Sequence, residues 1–170
     1  MRKGKHKLTF KEGNCIVVIS WILACILGML PFFMYGDEFD LINALFESVS
    51  GFTTTGASIL NDVESLPKGL QFWRIATSWV GGVGIVTLFS MIMMKRMDWS
   101  MLSRTEISNV SRQAFKGEKN GFYFHRTLIV YLFLTVATFL SLITTGMNWF
   151  DSLTNAMSAC STCGFCIRNL

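Results

Sequence analysis

Apolar residues in this chain are pooled into long blocks instead of recurring at an amphipathic period. Residues 15–34, 75–94 and 127–147 contain no Asp, Glu, Lys or Arg. At 1.5 Å per residue, about 20 helical residues cross a hydrocarbon core of roughly 30 Å. The pattern predicts three membrane spans, because a soluble chain of this length would rarely need three such helices. The first block is long for a secretory signal, and no small-residue cleavage pattern follows in Pro31-Phe32-Phe33-Met34-Tyr35, so it reads as a retained span.

The segment 37–51 is too short and too polar to cross. It opens with acids suited to a helix N-terminus, carries Leu41, Ala44, Leu45, Ser48 and Val49, and ends in Gly51. Phe52-Thr53-Thr54-Thr55-Gly56 follows, then polar residues to Lys68. A short helix that enters the membrane and returns as extended backbone fits this pattern. Irregular backbone at that depth is tolerated only where protein buries it or where it lines a water-filled cavity.

The same pattern returns at an offset of 108 residues, with Phe46 to Ser58 lying over Thr154 to Cys166. Ser50 meets Ser158, Thr54 meets Thr162 and Gly56 meets Gly164. Each copy follows an apolar block by a similar distance, as duplication of a span–pore loop–span unit would produce. The expected organisation is a first repeat at 1–94, a cytoplasmic connector at 95–126 and an incomplete second repeat at 127–170. The expected fold is all-α integral membrane, with three transmembrane helices and two re-entrant pore-helix loops.

Charge adds orientation. Arg2, Lys3, Lys5, Lys7 and Lys11 precede the first block, and Lys95, Arg96, Arg104, Arg112, Lys116, Lys119 and Arg126 separate the second and third. Lys68 stands among Asp37, Glu38, Asp40, Asp62 and Glu64 between the first two. The Lys/Arg bias predicts a cytoplasmic N-terminus and a cytoplasmic 95–126 connector. The net charge of +4 is thus a topology signal. Basic residues interleaved with aromatics on one face, as nucleic-acid binding would want, are not found.

The loops have a chemistry to offer. A cation that sheds water needs replacement oxygens, and stacked backbone carbonyls can supply them. Glycine admits the φ values that keep carbonyls pointed inward. The C-terminal end of a short helix carries partial negative charge and favours a cation. Composition alone leaves an ordinary Thr-rich turn as good a reading; the second copy favours an ion filter. The candidate filter residues are Thr53, Thr54, Thr55, Gly56, Ser161, Thr162, Cys163 and Gly164.

Further motifs surround the first loop: Leu66-Pro67-Lys68-Gly69-Leu70-Gln71-Phe72-Trp73-Arg74, then Trp79-Val80-Gly81-Gly82-Val83-Gly84-Ile85. Taken in order with the loop, they resemble the first repeat of the TrkH/KtrB family of bacterial potassium-uptake proteins. The resemblance runs through Arg104-x-Glu106 to the second loop. It implies four span–pore loop–span units around one pseudo-fourfold pore, potassium as the transported ion and no cofactor. It also implies a dimerising subunit in the bacterial inner membrane, gated by cytoplasmic nucleotide-binding subunits of the TrkA/KtrA type. In plant relatives serine at the first-repeat glycine is associated with sodium transport, so Gly56 favours potassium. With two loops of four, the chain reads as a fragment or truncated product that needs the remaining repeats. The alternative is a non-conducting piece that acts by associating with full-length subunits.

Cys160, Cys163 and Cys166 are spaced like part of a metal-binding run, but no fourth ligand or Cys-Pro follows, so a metal or redox role is the weaker reading. Gly81-Gly82-x-Gly84 lacks the spacing and preceding strand of a nucleotide loop and suits close helix packing. Arg74 is expected to snorkel at the outer interface. Glu47 either tunes the pore mouth or hydrogen-bonds the loop. No Ser/His/Asp or paired-carboxylate arrangement suggests an enzyme.

Overall fold

The computed structural model describes residues 10–36, 39–96 and 120–169. Arg2, Lys3, Lys5, Lys7, Asp37, Glu38 and connector residues 97–119, on which the orientation and regulator expectations rest, lie outside the described residues. The described chain forms helices α1 (Phe10–Gly28), α2 (Leu30–Tyr35), α3 (Leu41–Phe52), α4 (Lys68–Arg96), α5 (Asn120–Thr144) and α6 (Trp149–Ser161). There is no strand among these residues.

The first apolar block is one span interrupted near its end. Pro31 has no N–H to donate and its ring crowds the preceding turn. Helical hydrogen bonds nevertheless continue on both sides, from the Met29 amide to the Cys25 carbonyl (3.1 Å) and from the Phe33 amide to the Met29 carbonyl (3.0 Å). In the second copy the corresponding position is Phe139, and α5 runs unbroken. Residues Cys15–Tyr35 and His125–Thr144 are each long and apolar enough to cross a membrane. Their apolar side chains point outward: Leu27 is 63% exposed and Phe133 69%. Exposed apolar surface on this scale suits lipid rather than water.

Helix α4 begins at Lys68, seven residues before the apolar block that predicted it. Pro67 explains the early start: its carbonyl accepts from the amides of Leu70 (2.9 Å) and Gln71 (3.1 Å). The polar residues of that first stretch are tolerated because they find partners, as with Gln71 Nε2 donating to the Val63 carbonyl at 2.9 Å.

Helices α3 and α6 have 12 and 13 residues, about 18–20 Å, and are too short to span. Both pack against α4, which also meets α5, while α1 lies on α3 and α5 on α6. Two apolar clusters hold the assembly. Phe32, Phe39, Ala44, Leu66 and Leu70 seat the first short helix. Ile75, Met157, Cys163, Phe165 and Ile167 seat the second.

Three glycines of α4 make this packing possible, each for a different neighbour. A Cβ on Gly81 would run into the backbone of Phe52 at the end of α3. One on Gly82 would lie 2.7 Å from the Tyr131 hydroxyl oxygen and 3.1 Å from the Ser161 Cα at the end of α6. One on Gly84 would strike the Trp21 ring of α1. The glycine run is therefore a packing seam, and it places α4 between the ends of both short helices.

Candidate filter loops

Each short helix delivers the chain into a loop of the same construction. At the end of α3 the amide of Thr53 reaches the Val49 carbonyl (2.9 Å), that of Thr54 reaches Gly51 (2.8 Å) and that of Thr55 reaches Ser50 (2.9 Å). The backbone then turns through positive φ at Thr54 (55°) and Gly56 (76°). In the second copy Thr162 (55°) and Gly164 (82°) do the same. A β-branched residue at positive φ is a genuine outlier, and such strain persists only where the surroundings enforce it.

Those surroundings are also duplicated. Ser50 Oγ donates to the Ala57 carbonyl at 2.6 Å, and Ser158 Oγ donates to the Phe165 carbonyl at 2.6 Å. In both copies a helix serine braces the carbonyl seven residues ahead, across the strained turn. Ser50→Ala and Ser158→Ala are each expected to cost about 1 kcal/mol or more, the price of leaving a carbonyl without its donor. Thermal unfolding of the purified protein in detergent should show two similar losses, roughly additive.

The candidate residues do not all play one part. Thr53 and Thr55 are exposed, with hydroxyls 2.7 Å apart, and Thr53 also donates to the Val49 carbonyl at 2.7 Å. Thr54 and Gly56 are half-buried. Ser161 is buried at the end of α6, donates to the Ser158 carbonyl (3.0 Å) and sits 3.3 Å from Ser78 Oγ. Thr162 and Gly164 are exposed, whereas the Cys163 side chain is buried in the apolar cluster of α6. The two loops touch, since a Cβ on Gly56 would collide with the Cys163 backbone carbonyl. Cys160, Cys163 and Cys166 are free thiols, and no group of three or more metal-ligating side chains occurs among the described residues.

Arg74 departs from expectation. It is 3% exposed and does not snorkel. Its Nε forms an ion pair with Glu47, itself fully buried. A buried charge is retained only with a partner, and this one has three: Glu47, the Cys166 carbonyl at 3.0 Å from Nη1, and the Phe165 ring, whose centroid lies 3.9 Å from Cζ. Glu47 in turn accepts from Ser58 Oγ (3.0 Å) and the Ile59 amide (3.3 Å), so it does hydrogen-bond the first loop. The signal available in the sequence was one acid and one base, alone in otherwise apolar surroundings.

Beyond the second loop, Asn169 ties it to the linker before α4. Its side chain donates to Asp62 (2.7 Å) and accepts from the Val63 amide (2.9 Å), and its amide donates to Glu64 (3.2 Å). The hydrogen bond from Asn169, helped by the amides of Glu64 and Ser65, holds the Asp62 carboxyl below its ordinary range.

Two strained, serine-braced loops are thus delivered side by side by helices too short to span. The family model for TrkH, cation transport protein, matches residues 1–168. The chain belongs to the TrkH family. It is 33% identical over 166 residues to the Trk system potassium uptake protein TrkH of Escherichia coli K12, covering 96% of this chain and 34% of that protein. It is 32% identical over 152 residues to an uncharacterized cation transporter of Methanocaldococcus jannaschii, covering 89% of this chain and 31% of the relative. The crystal structure of the potassium transporter TrkH from Vibrio parahaemolyticus superposes with a TM-score of 0.78 at 29% identity, over 99% of this chain and 33% of that one. The chain therefore has the all-α integral membrane fold of a transporter family, not an enzyme family. It spans about a third of the length of the curated relatives it matches.

Proposed function

We propose that this chain supplies the first one and a half repeats of a potassium-translocating subunit, with residues 53–56 and 161–164 as two walls of a backbone-carbonyl filter. The observation that carries the reading is the duplicated loop. Two segments 108 residues apart share positive φ at the same two positions and the same serine brace. Independent turns have no reason to agree in this detail; two walls built around one ion do.

On this reading, residues 1–94 form the first repeat, 95–126 a cytoplasmic connector and 127–170 the start of the second. The N-terminus lies in the cytoplasm of a bacterium and the loops open outward. The remaining repeats complete the pore, the subunit dimerises, and a TrkA/KtrA-like nucleotide-binding protein docks on the cytoplasmic side.

The test is uptake by a bacterium stripped of its own potassium systems. The chain is expressed alone and joined to the remaining repeats of the Vibrio relative. The joined protein should restore growth at limiting potassium and take up radiolabelled rubidium, competed by potassium far better than by sodium. Competition by sodium as strong as by potassium would overturn the filter assignment. Expression of the chain alone distinguishes autonomous conduction from action only with further repeats.

A further inference from the structure

The Glu47–Arg74 pair is unlike the rest of the buried network because its contacts belong to both loops. Glu47 sits on α3 and holds Ser58 and Ile59, just beyond the first loop's glycine. Arg74 sits on α4 and holds the Cys166 carbonyl and the Phe165 ring, just beyond the second loop's glycine. The guanidinium uses separate nitrogens for the two sides, Nε for the carboxylate and Nη1 for the carbonyl. Phe165 is also the residue whose carbonyl Ser158 braces. Both charges are almost fully removed from solvent.

We infer that Glu47 and Arg74 are positioning residues for ion selection, a buried clamp that sets the spacing between the first and second loops. The inference rests on the filter reading above and deepens it. Where carbonyls select by cavity size, they discriminate ions of one charge only if the walls that carry them resist moving inward or outward. The serine braces act within one loop, whereas this pair spans two. Its planar, two-nitrogen geometry fixes a distance that a single point charge does not. The second copy carries Asn155 where the first carries Glu47, so the clamp belongs to the junction between these two loops and is not a general feature of the repeat.

The experiment uses the transport-competent joined protein and reads the ratio of potassium to sodium uptake per molecule, which the amount of folded protein does not change. Glu47→Gln and Arg74→Gln should each lower that ratio about tenfold. Arg74→Lys keeps the charge and offers one nitrogen in place of two, and it should lower the ratio nearly as far. The reversed pair, Glu47→Arg with Arg74→Glu, should recover less than half of the loss, because it restores the attraction and not the contacts to Ser58 and Cys166. If a glutamine variant fails to accumulate, Glu47→Asp, one methylene shorter, carries the same prediction. An unchanged ratio in Arg74→Lys or Glu47→Asp, with only the yield reduced, would overturn the clamp and leave a structural ion pair. Gly56→Ser is measured alongside. A ratio that falls there but not in the clamp variants defeats the clamp alone; a ratio that moves in neither defeats the filter reading as well.

Discussion

In the joined transporter, Gly81→Leu is expected to abolish transport and to deplete folded protein from the membrane, while Gly69→Ala in the same helix leaves both intact. Gly69 is exposed in the first turn of α4 and Gly81 is buried mid-helix, and they differ in what a side chain would meet. At Gly69 a Cβ has open space within 4 Å, and exchanging glycine for alanine in a helix stabilises it by up to about 1 kcal/mol. At Gly81 the Cβ would overlap the carbonyl oxygen of Phe52, with its carbonyl carbon at 2.8 Å and its Cα at 2.9 Å. All three are backbone atoms, so no rotamer change relieves the clash. The end of α3 would have to withdraw from α4, carrying Thr53 and the loop with it. Overpacking that forces side-chain and backbone shifts costs about 1–3 kcal/mol, occasionally more. Gly81→Ala is the finer probe. It should retain some insertion yet fail in uptake, because a shift of an ångström at Phe52 moves the loop. Uptake and detergent-extracted yield, measured for all three variants, check the expectation; full activity in Gly81→Ala would refute it.

The physical origin of what the sequence revealed is uneven. The spans were legible because lipid leaves no choice: a crossing helix must be apolar over its whole length, and residues 15–34 and 127–147 are. The loops were legible through repetition, since Ser50, Thr54 and Gly56 recur at 158, 162 and 164. The start of α4 was not, because the apolar block begins only at Ile75 whereas Pro67 starts the helix at Lys68. Arg74 was misread for a related reason. Hydropathy prices a charge as though it had no partner, and the partner, Glu47, is 27 residues away on another helix. The role of the serines was hidden differently. Their match between copies was visible, but a bond from Ser50 to the carbonyl of Ala57 exists only once the chain has turned through Thr54 and Gly56. Likewise, the glycine run reads as close packing, and only the fold assigns Gly81 to α3, Gly82 to α6 and Gly84 to Trp21.

Gly56→Ser in the joined transporter is expected to lower the preference for potassium over sodium at least tenfold, and Gly56→Ala should do nearly the same. The glycine is required twice at this position. Its φ of 76° lies where an L side chain costs roughly 1–2 kcal/mol. Its missing Cβ is also what lets the first loop approach the second, because that atom would collide with the Cys163 carbonyl oxygen. Thr54 shows that the loop can hold an L residue at positive φ when the surroundings allow it. Torsional strain alone would therefore leave a strained but working loop. The collision is the decisive term. To admit a Cβ, the Cys163 carbonyl must turn away or the two loops must part, and on the proposed filter reading either one displaces an oxygen from the ion's path. A tenfold change in preference corresponds to about 1.4 kcal/mol. Because the Cβ does the damage, the serine hydroxyl is secondary, which is why alanine and serine should behave alike. Retained preference in Gly56→Ala with loss in Gly56→Ser would point to hydroxyl chemistry and against the steric account. Loss in both, with Gly69→Ala unaffected, supports a filter whose first two walls come together only because Gly56 carries no Cβ.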